Sequence, residues 1–348
     1  MSTDIRITEL NPSLKKAFFD FAKLVHPNEQ GIIQRMEWFT FGNPNQSSQK
    51  SLPGLATVIT DGEIIGQFLM SPFEFQIRQK KFTGHFGYDF FVKEEYRSRG
   101  AGALLFVQGV RMYKPFIGVG LTNVVEKISK AAGIQTIGSL KKFIWVRNPM
   151  AFGGQLLKRS LIKNSGDEKK AFVNEVLPDA VEDSGLKFQR CSSLPEGFGP
   201  SCSDEALEPV RSQTFMRWRF FDSPRRYHMY IDRDHAVPMF FVVRNAFYQG
   251  MRLLLIVDHR FPAGKVEYLD MILRVAKKIA ADAHLDGVVM ASTHALVEGA
   301  LIRERFMAAG KPSAVIAYLP SEDFSPPITS INLTMADSDM DFSFGEDR

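Results

Sequence analysis

Apolar residues fall into two spacings along this chain. Met239 to Val243 and Leu253 to Val257 are continuous runs of strand length, too short to span a bilayer. Val266, Leu269, Ile272, Leu273, Ala276, Ile279, Ala280 and Ala283 instead recur at helical spacing. They predict a long helix near Lys265 to His284 with one apolar face against a sheet. In the first half, a strand at Ile5 to Leu10 leads into helices over Ser13 to Val25 and Glu29 to Phe41, then an antiparallel meander through Val92. A helix from Gly102 to Tyr113, a strand from Phe116 to Gly120, a helix over Asn123 to Ala132 and a strand at Lys142 to Val146 follow.

An internal repeat relates the halves. Met36-Glu37-Trp38-Phe39-Thr40-Phe41-Gly42-Asn43-Pro44 returns as Met216-Arg217-Trp218-Arg219-Phe220-Phe221-Asp222-Ser223-Pro224, with Met, Trp, Phe and Pro matched at one offset of 180. Strand–turn–strand patterns follow in both places, over Leu55 to Met70 with a turn at Asp61-Gly62, and over Tyr227 to Val243 with a turn at Asp232 to Asp234. Further on, Gly118 to Asn123 precedes a helix ending at Ala131-Ala132-Gly133. Val289 to His294 precedes one expected to end at Ala308-Ala309-Gly310, because glycine accepts the left-handed stop. The period far exceeds the roughly 20–50 residues of a solenoid repeat, so the pattern implies a duplicated domain. The expected units are residues 1–147 and 185–348, joined by a linker over 148–184 that holds the polar stretch Asn164 to Lys170. The last 28 residues carry seven acids and one base. That composition reads as a solvated acidic tail or, through Ile331, Leu333, Met335 and Phe342, as a last strand.

Composition removes several classes. A net charge of +4 is too small a surplus to imply a nucleic-acid partner, and the basic pairs are scattered. Cys191 and Cys202 have no partner histidine cluster, which points to two reduced thiols and no metal site. The polar stretch Met1 to Arg6 lacks the apolar core of a signal peptide. With no membrane insertion to expect, a cytoplasmic protein is the reading.

The chemistry concentrates between Tyr88 and Leu105. An apolar strand runs into Arg97-x-x-Gly100-x-Gly102, and a helix opens directly behind. Backbone N–H groups at such a helix start, helped by the helix dipole, form a seat for phosphate or pyrophosphate. The dinucleotide fingerprint would need a third glycine in a parallel βαβ unit, and a P-loop would need a following Gly-Lys-Ser/Thr.

Strand, glycine turn, helix, strand, Thr122-Asn123 and helix in this order resemble the GNAT superfamily of N-acetyltransferases. In that family an Arg/Gln-x-x-Gly-x-Gly/Ala turn holds the pyrophosphate of acetyl-CoA. The likeness is motif-specific over Phe82 to Val146. It implies an α+β fold of two tandem GNAT-like domains, each a mixed, mostly antiparallel sheet flanked by helices. It also implies that Arg97, Ser98, Arg99, Gly100, Ala101, Gly102 and Ala103 form the cofactor turn, with the N–H groups of Arg99 to Ala103 on the pyrophosphate. Phe91 and Val92 would offer strand backbone to the pantetheine arm, whose amides can pair with an open edge like an extra strand. Asn123 would bond the cofactor.

Acetyl transfer to an amine needs a neutral amine, a polarised thioester carbonyl and a proton donor for the departing thiolate. Family members often use a tyrosine of the later helix as that donor; here the position holds Ser129, and Tyr96 and Tyr113 lie near the turn. Asp89 and His85 are the candidate bases, four residues apart, so that strand alternation places them on one face.

The second half departs from the pattern. After the strand Arg252 to Asp258, His259-Arg260-Phe261-Pro262-Ala263-Gly264 keeps one glycine, Pro262 has no N–H to give, and His294 stands in place of the asparagine. The second half is therefore expected to leave CoA alone and to shape the acceptor site or a homodimer surface. Trp218-Arg219-Phe220 and Asp337-Ser338-Asp339 resemble tandem GNAT proteins of bacterial surface-polysaccharide assembly, which implies a small primary amine, possibly an amino sugar, as acceptor. Two other readings compete. One is a non-catalytic CoA-binding sensor or scaffold, favoured by Ser129. The other is an aminoacyl transferase resembling the Fem enzymes, which would need a basic surface for tRNA that the even charge distribution does not offer.

Overall fold

Fourteen described strands join in one sheet, and the two halves of the chain interleave at its centre. The computed structural model describes residues 5–27, 31–46, 55–60, 63–149, 176–196, 198, 206–232, 239–248, 250–262, 264–319, 328, 330–337 and 340–343. The first half supplies β1 (Arg6–Glu9), β2 (Leu55–Thr60), β3 (Glu63–Ile77), β4 (Lys80–Val92), β5 (Phe116–Val119) and β6 (Gln135–Val146). The second supplies β7 (Ala180–Asp183), β8 (Leu186–Cys191), β9 (Glu208–Pro209), β10 (His228–Asp232), β11 (Met239–Tyr248), β12 (Met251–Arg260), β13 (Gly287–Ser292) and β14 (Met307–Tyr318). Their order is β1-β2-β3-β4-β5-β14-β6-β13-β12-β11-β10-β8-β7, with β9 beside β3. Among the described strand pairs only β4–β5 and β12–β13 are parallel, one pair in each half.

The centre of the sheet is an exchange. β14 of the second half pairs with β5 of the first, and β6 of the first pairs with β13 of the second. Each half thus receives its last strand from the other. Sequence spacing could not show this, because local patterning does not specify which distant strand a strand joins. The architecture is a GNAT-like α+β fold: a mixed sheet with helices on both faces.

Eight described helices flank the sheet: α1 (Lys15–Val25), α2 (Ile32–Met36), α3 (Glu94–Arg97), α4 (Ala101–Met112), α5 (Asn123–Ala131), α6 (Gln213–Met216), α7 (Val266–Asp282) and α8 (Ala295–Arg303). No described helix is long and apolar enough to cross a membrane. Strand alternation sorts the core. Leu253, Leu255 and Val257 of β12 join a large cluster with Phe18, Phe39, Phe73 and Trp218, while Leu254 and Ile256 join Ile272, Leu273 and Ile279 of α7. The continuous apolar run is therefore a strand buried on both faces. A third cluster, with Phe68, Phe106 and Phe116, seats α4 on the first half.

The repeated tryptophans meet at the junction. Trp38 and Trp218 stack with centroids 5.0 Å apart at 24°. Each indole N–H donates to the other's backbone carbonyl at 3.2 Å, so the contact is reciprocal, as local twofold symmetry requires. Both lie in matching π-helical turns, Glu37–Phe41 and Arg217–Phe221.

Several boundaries differ from expectation. The helix expected to run to Gly310 stops at Arg303; Arg305, with φ of 62°, turns the chain and β14 already covers Gly310. β12 continues through Arg260, and β6 begins at Gln135 rather than Lys142. Most of the expected linker, residues 150–175, lies outside the described residues, as do Cys202 and the Asp61-Gly62 turn. Cys191 is buried, and its thiol donates to Gln189 O at 3.6 Å.

The acidic C-terminal segment packs into the protein. Ile331, Leu333 and Met335 are buried, Ile331 bridges Leu207, and two 3-10 turns, Met335–Asp337 and Met340–Ser343, follow. Asp337 and Asp341 are buried too, so composition misled: acids that read as solvated are held by buried arginines.

Candidate functional site

β4 and β5 lie side by side only from His85 to Gly87, opposite Phe116 to Gly118. Beyond Gly87 they part, and β4 runs on to Val92 paired on one edge with β3. The parting coincides with a β-bulge. Leu69 faces Tyr88 and Gln67 faces Phe91, so Asp89 and Phe90 together oppose one residue of β3. Asp89 takes a left-handed φ of 50° to make room. An aspartate in that region costs about 1 kcal/mol or more, and bulges of this kind bend a strand and redirect its side chains.

The redirection decides where the candidate bases point. Asp89 Oδ1 lies 2.7 Å from His26 Nε2, and Oδ2 accepts from Gln67 Nε2 at 2.9 Å. This pair sits on the α1 face, partly buried. His85 faces the other way, its ring 5.4 Å from that of Tyr113 behind α4. Burial lowers its pKa, against backbone contacts at Tyr113 and Pro115. The bulge breaks the alternation that would have put His85 and Asp89 together, so His85 is not part of this cluster. His26 and Gln67 were missed in sequence, one at a helix end and the other in mid-strand, with no motif around either.

The turn after β4 is built from short-range bonds. Tyr96 N–H donates to Lys93 O at 3.0 Å, Arg99 N–H to Tyr96 O at 3.2 Å and Gly100 N–H to Arg97 O at 3.3 Å. Gly100 has φ of 77° and caps α4, whose first internal bond runs from Leu104 N–H to Gly100 O at 3.0 Å. No described side chain caps this helix. The N–H groups of Ala101, Gly102 and Ala103 are consequently left without a described partner, as at any uncapped helix start. The cradle is thus smaller than expected, since Arg99 and Gly100 spend their N–H groups inside the turn. Arg97 is a staple: its Nε donates to Val92 O at 2.8 Å and its guanidinium lies 5.3 Å over Phe91. Arg99 covers Tyr96 at 5.4 Å, and Ser98 is exposed. Phe91 packs edge-on against Phe21 of α1.

α5 starts on the far side of the opening. Thr122 caps it by accepting from Val125 N–H at 3.4 Å, which leaves Asn123 exposed as its first residue. Ser129 is buried and its hydroxyl donates to Val125 O at 2.7 Å. Tyr113 donates to Glu9 at 3.2 Å. Neither hydroxyl is presented at the opening.

The second half repeats the geometry with a different content. β12 and β13 pair over Leu253 to Ile256 and Gly287 to Met290, and β12 carries its own bulge at Val257. The C-terminal segment spans the place where they part. Thr334 Oγ1 donates to Asp258 of β12 at 3.1 Å, while Leu333 N–H donates to Thr293, just past β13, at 2.9 Å. Asp258 also holds Arg211 through two bonds of 2.7 and 3.1 Å, and Arg211 reaches Asp337 at 2.6 Å. Farther along, Asp341 takes Arg219 at 2.8 Å, the Tyr227 hydroxyl, and Arg244 at 3.6 Å. Burial raises the Asp341 carboxyl, but Arg219, Arg244 and Arg225 outweigh it and hold the group below the usual carboxylate range. His259 is buried, and with Arg260 nearby its pKa falls to about 3, so it is neutral. His294 caps α8 by accepting from Leu296 N–H at 3.3 Å. Trp218 thus packs at the junction, and Arg219 holds the C-terminal segment like a strap. No described group of three or more His, Cys, Asp or Glu side chains is placed to hold a metal ion.

The long mixed sheet, its parted parallel pair and the glycine-capped helix behind it make up a GNAT-like fold. Solved structures agree at this level. A GCN5-related N-acetyltransferase from Kribbella flavida aligns at TM-score 0.52 and 12% identity, over 91% of this chain and 71% of that one. One from Anabaena variabilis aligns at 0.54 and 11%, over 91% and 73%. The Saccharomyces cerevisiae N-myristoyltransferase with bound myristoyl-CoA aligns at 0.54 and 12%, over 91% and 83%. No protein-family model matches the chain, and no curated protein matches it.

Proposed function

We propose that this chain is an acyl-CoA-dependent N-acyltransferase that moves an acetyl group from acetyl-CoA to a small primary amine. The observation that carries the reading is one strand with two features. β4 has an edge that β5 leaves uncovered from Tyr88 to Val92, with only the Val92 carbonyl taken, by Arg97, and the helix behind it begins with three N–H groups that have no described partner. An acyl-CoA is a thioester on an amide-bearing arm that ends in a pyrophosphate. The arm can bond to the open edge, and the pyrophosphate suits the N–H groups of Ala101, Gly102 and Ala103.

The chain's own residues then have distinct tasks. The amine nitrogen attacks the thioester carbonyl carbon, the C–S bond breaks and CoA leaves as thiolate, which takes a proton from water. The Asp89–His26 pair, beside the parting of β4 and β5, receives the proton that the amine must lose. Gln67 fixes the Asp89 carboxylate from the strand side. The second half keeps a parted strand pair, but its own C-terminal segment lies across it, so one CoA per chain is the expected stoichiometry.

The test is free-thiol release from acetyl-CoA with a panel of primary amines, amino sugars among them. The proposal requires amine-dependent thiol release that Asp89→Asn lowers by at least tenfold. Binding of CoA without release to any amine would favour the second reading, a non-catalytic CoA-binding protein, which the inward-facing Ser129 supports.

A further inference from the structure

A recess of about 710 Å³ opens on the second half, between the turn after Phe221 and the ends of β8 and β10. Arg190, Arg225, Arg226 and His228 line it, and the one carboxylate there, Asp179, already pairs with Arg190. A neighbouring cavity of about 850 Å³ shares Ser192 and Phe221 with it and extends to Gly42 and Pro44 of the first half.

The repeat supplies an internal control. At the offset of 180, Arg217, Arg219, Arg225 and Arg226 stand where the first half has Glu37, Phe39, Asn45 and Gln46. The local backbone is alike in both: Asn45 N–H donates to Asn43 Oδ1 at 2.9 Å, and Arg225 N–H to Ser223 Oγ at 3.2 Å. The same turn therefore gained charge in the second half. The C-terminal strap accounts for part of that gain. Arg219 holds the Asp341 carboxylate, and Arg225 donates to the Asp341 carbonyl at 3.3 Å. It does not account for Arg226, which is exposed and makes no hydrogen bond or ion pair with any described residue. A second group senses the same charge. His228 is held down to about 4, first by burial and then by Arg226 and Arg190, so both guanidinium groups act on one point of the recess, where the one lining carboxylate, Asp179, is on Arg190.

We propose that this recess is an oxyanion-binding subsite, in which Arg226 and Arg190 take the phosphate or carboxylate group of a small organic anion. Arg226 offers paired N–H donors that suit planar or tetrahedral oxyanions; Arg190, bonded to Asp179 and to the Leu177 carbonyl, adds charge and its remaining N–H groups, and Ser192 and Ser223 add hydroxyls. The subsite is separate from the β4 turn. β10 lies seven strands from β4 in the sheet order, roughly 34 Å along the sheet at ~4.8 Å per strand. It does not depend on the acyltransferase reading.

The experiment is calorimetric titration of the full chain carrying Gly102→Asp, which removes anion binding at the first-half turn from the result. Sodium pyrophosphate and tricarballylate are the probes, and whichever binds identifies a phosphate or a carboxylate ligand. The expected result is one site for at least one probe, weakened tenfold or more by adding Arg226→Ala, with an unchanged melting temperature. Arg190→Gln should weaken the same site. Binding of neither probe, or equal affinity with and without Arg226, would overturn the proposal.

Discussion

The C-terminal strap makes a quantitative prediction through Asp341→Asn. The substitution keeps the shape of the side chain and removes its charge. In the native protein this carboxylate is fully buried and faces Arg219, Arg244 and the Tyr227 hydroxyl. The asparagine takes a carboxylate charge away from two buried guanidinium groups, a change that costs about 3–5 kcal/mol. Unfolding entropy near 60 °C is about 2.1 cal/mol/K per residue, or roughly 0.7 kcal/mol/K for a chain of 348 residues. The melting temperature should therefore fall by about 4–7 °C. Tryptophan emission is a suitable probe, because the Arg219 guanidinium lies 5.6 Å from the Trp38 ring. Arg219→Met combined with Asp341→Asn should cost less than the sum of the two singles, since the pair is removed together. A single variant that melts within 1 °C of the native chain would refute the claim that the strap is held by buried charge.

Other outcomes follow from the same geometry. Asp341 and Asp258 are both held low by arginines that outweigh their burial, so their stabilisation is complete above the unfolded pKa of about 3.9 and lost as pH falls through lower folded values. His259, at about 3 when folded against about 6.5 unfolded, stabilises fully above pH 6.5 and progressively less down to pH 3. Asp337 is raised, first by burial, and acts in the opposite sense: its contribution is present below about pH 3.9 and lost as pH rises through its folded value. Melting temperature should decline below pH 6.5 and steeply below pH 4; a flat profile would contradict the assignments. Asp89→Asn and His26→Gln should each lower the rate of amine-dependent thiol release at least tenfold while CoA affinity stays within threefold. His85→Gln should leave the rate within threefold, because its ring faces Tyr113, and a loss equal to that of Asp89→Asn would reverse the assignment.

Much of the scaffold was legible because it rests on local periodicity. The apolar run of β12 and the helical spacing of α7 each read correctly, since alternate sides of one strand and one stripe of one helix are buried. The repeat of Met, Trp, Phe and Pro became a reciprocal tryptophan contact, something a constant offset can signal. What failed was non-local. The exchange of β6 and β14 depends on partners more than a hundred residues apart. The acids of the C-terminal segment look solvated until Arg211, Arg219 and Arg244 are brought to them. His85 was grouped with Asp89 by ideal alternation, and one inserted residue in the bulge cancels that inference. His26 carries no local signal at all.

Titration of the chain with acetyl-CoA tests the central claim most directly. One molecule per chain should bind, and Gly102→Asp should abolish the heat with little loss of stability. A β-carbon at Gly102 meets only ordinary contacts with Phe90 and Val92 at 3.7 and 3.8 Å, and an aspartate suits a helix start while placing its charge where the pyrophosphate would sit. No binding by the native chain, two molecules per chain, or equal affinity in the Gly102→Asp variant would contradict it.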